Sequence, residues 1–199
     1  MSALALPAAS VLVIDDRPDL HVVIGRRRTD LKFVPGMIVF PGGRVDPEDS
    51  GPDAQRRVPA AVVPQMSGAD GAAFLHAAIR ETSEEVGLDI AGPGPVDADD
   101  FPHVGHWITP EDSPRRFDTH FFMARYLGGE VVADEVELTE AWWERPADIL
   151  RRVEDGTLSA IRPTLEFLRS LSEYRNVADA FTGTGRLERR GNSTGWTNF

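Results

Sequence analysis

Two short apolar runs open the pattern, Ser10–Asp15 and Leu20–Gly25, both rich in aliphatic and β-branched residues. Asp16-Arg17-Pro18-Asp19 separates them, so the pair predicts a β-hairpin with a turn looser than the asparagine-glycine kind. Further on the period changes. Leu75, Ala78, Ile79, Thr82 and Val86 recur at three- and four-residue steps, which puts them on one face of a helix. That helix starts near Gly71, where Ser67 or Asp70 can cap it, and ends at Gly87, a residue suited to the left-handed cap. His103–Thr109 and Thr119–Leu127 read as strands, and Glu130–Trp143 as a strand, an acidic turn and a second strand. Ala147–Glu154 and Pro163–Arg175 read as helices, the latter with Leu165, Leu168 and Leu171 on one side. Pro47–Gly68 and Ala91–Asp100, rich in proline, glycine and aspartate, read as loops, and after Asn176 the chain becomes a loose tail or a late packing segment. The sum is an α/β protein.

The predicted helix at 71–86 carries the chemistry. Glu81, Glu84 and Glu85 stand at i, i+3 and i+4, on a face more than a quarter-turn from the apolar stripe. Like charges at this spacing repel, and the face has no lysine to dilute them. Acidic pairs are common on surface helices, so the three glutamates alone also fit a solvated face. Bound to chemistry instead, they call for a hard divalent cation with oxygen ligands, Mg²⁺ or Mn²⁺.

The surrounding string decides between the two. Arg80-Glu81 followed by Glu84-Glu85 and Gly87-Leu88 resembles the second half of the Nudix box, R-E-U-x-E-E-x-G-U, and Phe40-Pro41-Gly42-Gly43 resembles its glycine-led start. The resemblance covers about Ser10 to Leu171 and is specific at the box. Two departures stand out. Gly43 and Arg80 lie 37 steps apart, 23 more than the box usually has, so Pro47–Gly68 is an insertion within it. Ala72 stands where a glutamate is usual eight residues before the arginine, whereas Asp49 holds the usual offset from Gly43. Thr82 takes an aliphatic position, with its methyl still able to face the core.

The resemblance implies an α/β/α sandwich around a mixed sheet and hydrolysis of a nucleoside diphosphate linked to another group. It implies that Glu81, Glu84 and Glu85, with the Gly42 carbonyl, hold the metal. Arg80 would anchor the helix or its carboxylates, and Glu84 or a glutamate of the Glu135–Glu140 segment would activate water. Glu137, six residues before Trp143, sits where many members keep a further glutamate, with Glu135 and Glu140 as rivals. Lys32, Gly36, Phe40–Gly43 and Asp46 follow the spacing of the coenzyme-A-directed branch, as does Arg27 more loosely. That branch implies coenzyme A or an acyl derivative as substrate, with Arg27, Lys32, Gly43, Arg115 and Arg116 as contacts. Each of these arginines is equally a solvated surface residue until geometry decides. The alternatives are a Nudix enzyme for ADP-ribose or a dinucleotide, and a Nudix-fold module that binds without turnover.

Composition narrows the setting. At 199 residues the chain has room for one domain, 1–175, with a core of its own and a tail from 176 to 199. A net charge of −11 argues against a nucleic-acid polymer as partner and leaves small nucleotides to be met by metal and local arginines. The absence of cysteine removes thiolate chemistry and fits a reducing, cytoplasmic compartment. Ala3–Ile14 is apolar but lacks a basic leader and is too short to span a bilayer, so it reads as a strand and no membrane is expected. A homodimer stays open. His103, His106 and His120 show no ligand spacing and read as core or surface residues.

Overall fold

The computed structural model describes residues 4–58, 71–184 and 192–194. The predicted hairpin is its centre. β1 (Leu6–Asp16) and β2 (Leu20–Arg27) run antiparallel, with Ile14 opposite Val22. Val11 to Ile14 are all fully buried, because successive side chains point to opposite faces and both faces are covered. Ala9, Val11 and Val13 point into one core; Leu12 and Ile14 point into the other.

The first half of β1 pairs with β4 (Gly42–Arg44), placing Ser10 opposite Gly42 and Ala9 opposite Gly43. Along its other edge β1 lies parallel to β6 (Phe117–Arg125), which pairs antiparallel with β5 (His103–Ile108). β2 carries β3 (Ile38–Val39) and β7 (Leu138–Glu144), while β8 (Asn192–Thr194) runs parallel to β5. These strands form one mixed sheet in the order β3-β2-β1-β6-β5-β8, with β4 on β1 and β7 on β2.

After the short α1 (Pro52–Arg57), α2 (Gly71–Val86) covers one face of the sheet. Its stripe of Leu75, Ala78, Ile79, Thr82 and Val86 is buried, as its periodicity predicts. Burying a leucine fully is worth about 1.5–3 kcal/mol, so Leu75 is one of the contacts that pins the helix to Val11, Val13 and Phe122. Thr82 is accommodated because its Oγ1 donates to the Ala78 carbonyl at 2.7 Å. The helix stops at Gly87, whose φ of +73° is the left-handed cap. On the other face α3 (Pro146–Glu154), α4 (Arg162–Leu171) and α5 (Val177–Thr182) pack over Leu12, Ile14, Phe121 and Met123. The result is the α/β/α sandwich around a mixed sheet. Among the described residues, no helix is long and apolar enough to cross a membrane.

Two local expectations are corrected, and a third is narrowed to one of its alternatives. Glu130–Glu137 forms no strand before β7. Its backbone instead caps α2, with Val132 N donating to Val86 O and Asp134 N to Glu85 O, which satisfies carbonyls the helix end leaves bare. The insertion read as loop is helical where described: a 3₁₀ turn at Pro47–Ser50 leads into α1, burying Asp49, Ala54 and Val58. Its remainder, with the caps read at Ser67 and Asp70, lies outside the described residues. The segment after Asn176 is a packing segment at its start, since Asn176 caps α5 by accepting from Asp179 N at 2.8 Å and Val177 and Ala180 are buried.

Candidate active site

Gly42 and Gly43 set the site, for a steric reason. Gly42 has a φ of +153°, and a Cβ there would lie 2.3 Å from the Ala9 carbonyl oxygen. A Cβ on Gly43 would lie 2.4 Å from the Glu81 carboxylate. Only glycine lets β4 lie against β1 and α2 this closely. The loop and the helix thereby share a hydrogen bond: Gly42 N donates to Glu85 Oε2 at 2.8 Å.

The three glutamates meet different surroundings. Glu85 is 3% exposed, and burial, with the charges of Glu81 and Glu137 adding to it, pushes its carboxyl up to about 8. It therefore does not lie on the solvated face that its sequence spacing suggests. Burial also raises Glu81, against the opposing pull of Arg80 and with further repulsion from Glu84 and Glu137. Glu84 is the exposed member.

Arg80 organises all of this. Its Nε and Nη2 donate to the two oxygens of Asp49 at 3.0 and 2.9 Å, a fork-to-fork pairing. Its Nη1 donates to Glu81 at 3.0 Å and Glu84 at 2.8 Å, and Nη2 also reaches the Arg44 carbonyl. Asp49 is fully buried; burial raises its carboxyl, but hydrogen bonds from Arg80 and His76 outweigh that and hold it below the usual carboxylate range. Asp49 thus supplies, from the 3₁₀ turn, an acid that Ala72 does not. Arg80 spends its donors on protein, leaving it an anchor rather than a phosphate contact.

A cleft of about 420 Å³ opens beside the glycine loop. Its wall brings together Arg27, Lys32, Gly42, Gly43, Glu81, Arg115 and Glu137, all singled out from the sequence. Glu84, Glu85, Arg80 and Arg116 are not on that wall. Arg116 donates from Nε to the Thr109 carbonyl at 2.9 Å, tying β6 to the end of β5. Arg27 is paired with Glu137 at 3.1 Å, which holds that carboxylate in the cleft. Glu140 pairs with Arg26, and Glu135 offers only its carbonyl, to Arg28. Among the described residues, Lys32 and Arg115 have no carboxylate within 4.0 Å, and Arg115 rests over the Phe117 ring at 5.7 Å.

Apart from Phe40, the apolar part of the wall escaped the sequence reading. Phe33 meets Phe117 edge-on at 4.8 Å, and Leu31, Phe40 and Ile161 continue the surface. Alternation along β6 could have marked Phe117, Thr119 and Phe121 as sharing a face, but not that the face opens onto a cleft. Chemically, the cleft offers oxygen ligands on one side, uncompensated cations on another and an aromatic floor.

No protein-family model matches the chain. A curated Caenorhabditis elegans protein named "Putative nudix hydrolase 7" is 25% identical over an alignment of 186 residues that covers 85% of this chain and 61% of that protein. The chain thus spans about three-fifths of the curated relative it matches. Among solved structures, a NUDIX hydrolase from Alicyclobacillus acidocaldarius is similar at 29% identity and a TM-score of 0.78, over 90% of this chain and 96% of that one. The NUDIX domain of Shewanella oneidensis NrtR, solved with ADP ribose, shares the fold at 12% identity and a TM-score of 0.56, over 86% and 88%. A Caenorhabditis elegans Ap4A hydrolase shares it at 15% and 0.52, over 85% and 96%.

Proposed function

We propose that this chain, whose homologue and structural neighbours support the Nudix hydrolase family, is a metal-dependent pyrophosphohydrolase of nucleoside diphosphate derivatives, with coenzyme A or an acyl-coenzyme A as its substrate. The single observation that carries this is a cleft lined by the glycine loop, Glu81, Glu137 and the cations Arg27, Lys32 and Arg115.

The donor set fits a hard cation: Glu81, Glu84 and Glu85 with the Gly42 carbonyl are all oxygen ligands, and Mg²⁺ or Mn²⁺ would sit among them. When bound, such an ion offsets diphosphate charge and acidifies the attacking water. The protein's own part is positional. Lys32 and Arg115 receive phosphate oxygens without first losing a carboxylate partner. Glu137, held by Arg27, orients the water or takes its proton. Gly42 and Gly43 let the diphosphate approach the backbone. Leu31, Phe33 and Phe117 offer an apolar bed for the base or the pantetheine arm. Coenzyme A would be split into an adenosine bisphosphate and a phosphopantetheine product.

A hydrolysis panel with Mg²⁺ tests the reading, using coenzyme A, dephospho-coenzyme A, ADP-ribose, a dinucleotide and a nucleoside triphosphate. Coenzyme A is expected to be preferred. Replacing Lys32 and Arg115 together by glutamine should weaken coenzyme A more than its dephospho form, by about 1–3 kcal/mol for lost charged contacts. Preference for ADP-ribose or the dinucleotide would reject coenzyme A while keeping the enzyme class. Tight binding with no turnover of any compound would reject the enzyme.

A further inference from the structure

On the α2 face of the sheet, opposite the face that Thr119 and Phe121 present to the cleft, β5 and β6 gather three histidines and an aspartate. His106 stands directly across from His120 in the antiparallel pair, and Asp118 is two residues from His120 on the same side of β6. A register shift between His103 and Gly105 brings His103 round as well, although it stands three positions from His106. One ligand atom from each of His106, Asp118 and His120 lies within 4.8 Å of the other two. His120 Nε2 is 3.9 Å from Asp118 Oδ1, and His106 Nε2 is hydrogen-bonded to that same oxygen.

We infer that His106, Asp118 and His120 form a binding site for a divalent transition ion of the Zn²⁺ class, separate from the glutamate site, with His103 setting the tautomer of the central ligand. The donor types select the ion: two imidazoles and one carboxylate suit Zn²⁺ or its neighbours, whereas Mg²⁺ keeps to oxygen.

The histidine chain supplies the second argument. His103 Nε2 and His120 Nδ1 are 3.0 Å apart, so one donates and the other accepts. A metal at His120 Nε2 requires His120 to carry its proton on Nδ1 and donate it to His103 Nε2, which leaves a bare Nε2 facing Asp118. A ligating histidine whose other nitrogen donates to a fixed partner is the usual outer arrangement of a metal site. The Phe74 ring, edge-on at 4.6 Å, and near-complete burial hold His120 in place.

His106 is the adjustable ligand. Its ring stacks on His120 at 4.2 Å and 9°, and its side chain is 28% exposed. Loading an ion costs this stack and the His106–Asp118 hydrogen bond, and returns three ligand bonds of about 2.0–2.2 Å. The fourth position goes to water, on the side where His106 and Asp118 are part-exposed.

The test uses the full chain, stripped with chelator and held in excess Mg²⁺ so that oxygen-donor sites are occupied. Titration with Co²⁺ should give the intense visible bands of a low-coordinate ion at one equivalent, displaced by Zn²⁺. His106→Ala and Asp118→Ala should each lower Co²⁺ affinity by about 10–100-fold or more, and His103→Ala by about tenfold, with His103→Gln recovering part of it through its side-chain carbonyl. His21→Ala should change nothing, and His106→Ala should leave Mg²⁺-dependent hydrolysis intact. No saturable spectrum, or one unchanged in both His106→Ala and Asp118→Ala, overturns the site.

Discussion

The two side-chain clusters proposed as metal sites are built on opposite logic. The sequence singles out the glutamates of α2 as candidate metal ligands, yet among the described residues the group of three whose ligand atoms lie within 4.8 Å of one another is His106, Asp118 and His120. The difference is electrostatic. Glutamates drawn together repel, so Arg80 holds Glu81 and Glu84 while the Gly42 N–H holds Glu85. Two imidazoles beside a single carboxylate do not bring three like-charged carboxylates together and can rest in contact. A carboxylate site needs an organiser where no cation is bound; a histidine site on paired strands is organised by its own register.

The most severe way to break the comparison is to remove the organiser. Arg80→Ala would leave Asp49 fully buried without its forked partner and Glu81 and Glu84 unrestrained. Breaking a buried pair by losing one partner costs about 3–5 kcal/mol. Urea unfolding should record that loss together with a loss of turnover. A variant of wild-type stability would show that Arg80 organises nothing.

Next in size is the chemistry. Glu84→Gln or Glu85→Gln should lower Mg²⁺-dependent turnover by about a hundredfold or more, because an amide neither offsets a cation nor accepts a proton. Co²⁺ binding at the histidine cluster should be unaffected in both variants. Coupled loss at both places would mean that the two clusters are not separate.

What the sequence made legible follows the same division. The α2 stripe, its Gly87 stop and the pairing of Gly42–Gly43 with Arg80–Glu85 were readable because each is a local period or a resemblance with fixed spacing. Among the residues named for the substrate, Arg27, Lys32, Gly43 and Arg115 meet in one cleft, whereas Arg116 turns to Thr109. The grouping of the histidines was not legible because 103 and 106 differ by an odd number, which puts them on opposite faces of a regular strand. The β5 bulge undoes that parity, and nothing local announces it. Glu130–Glu137 misled for a similar reason: its apolar and acidic alternation suits a strand, but the bare carbonyls at the end of α2 claimed its backbone. Asp49 was marked by its offset from Gly43, but its partner was not, since only the fold brings Arg80 to it.

The gentlest test sets the two clusters against each other by pH, in chelator so that no ion contributes. Burial raises the Glu85 carboxyl to about 8, so the folded state binds its proton where the unfolded chain, near 4.5, has lost it. That contribution is full below about pH 4.5 and is lost as pH rises through 8. The histidines carry the opposite sign. Burial, followed by the charge of His106, lowers His120 to about 3, and burial lowers His103 to about 4, against an ordinary 6.5. Between about pH 3 and 6.5 the unfolded chain binds protons that these two refuse, so their contribution is full above 6.5 and is lost as pH falls. Stability should therefore pass through a maximum on the acid side of neutral, with an alkaline limb worth roughly 1–3 kcal/mol. Glu85→Gln should flatten the alkaline limb and leave the acid one. His103→Gln should soften the acid limb and leave the alkaline one. Thermal melts across pH 4–9 decide: a single-sided profile, or one that Glu85→Gln leaves unchanged, would show that burial at α2 does not hold a proton against neutral solvent.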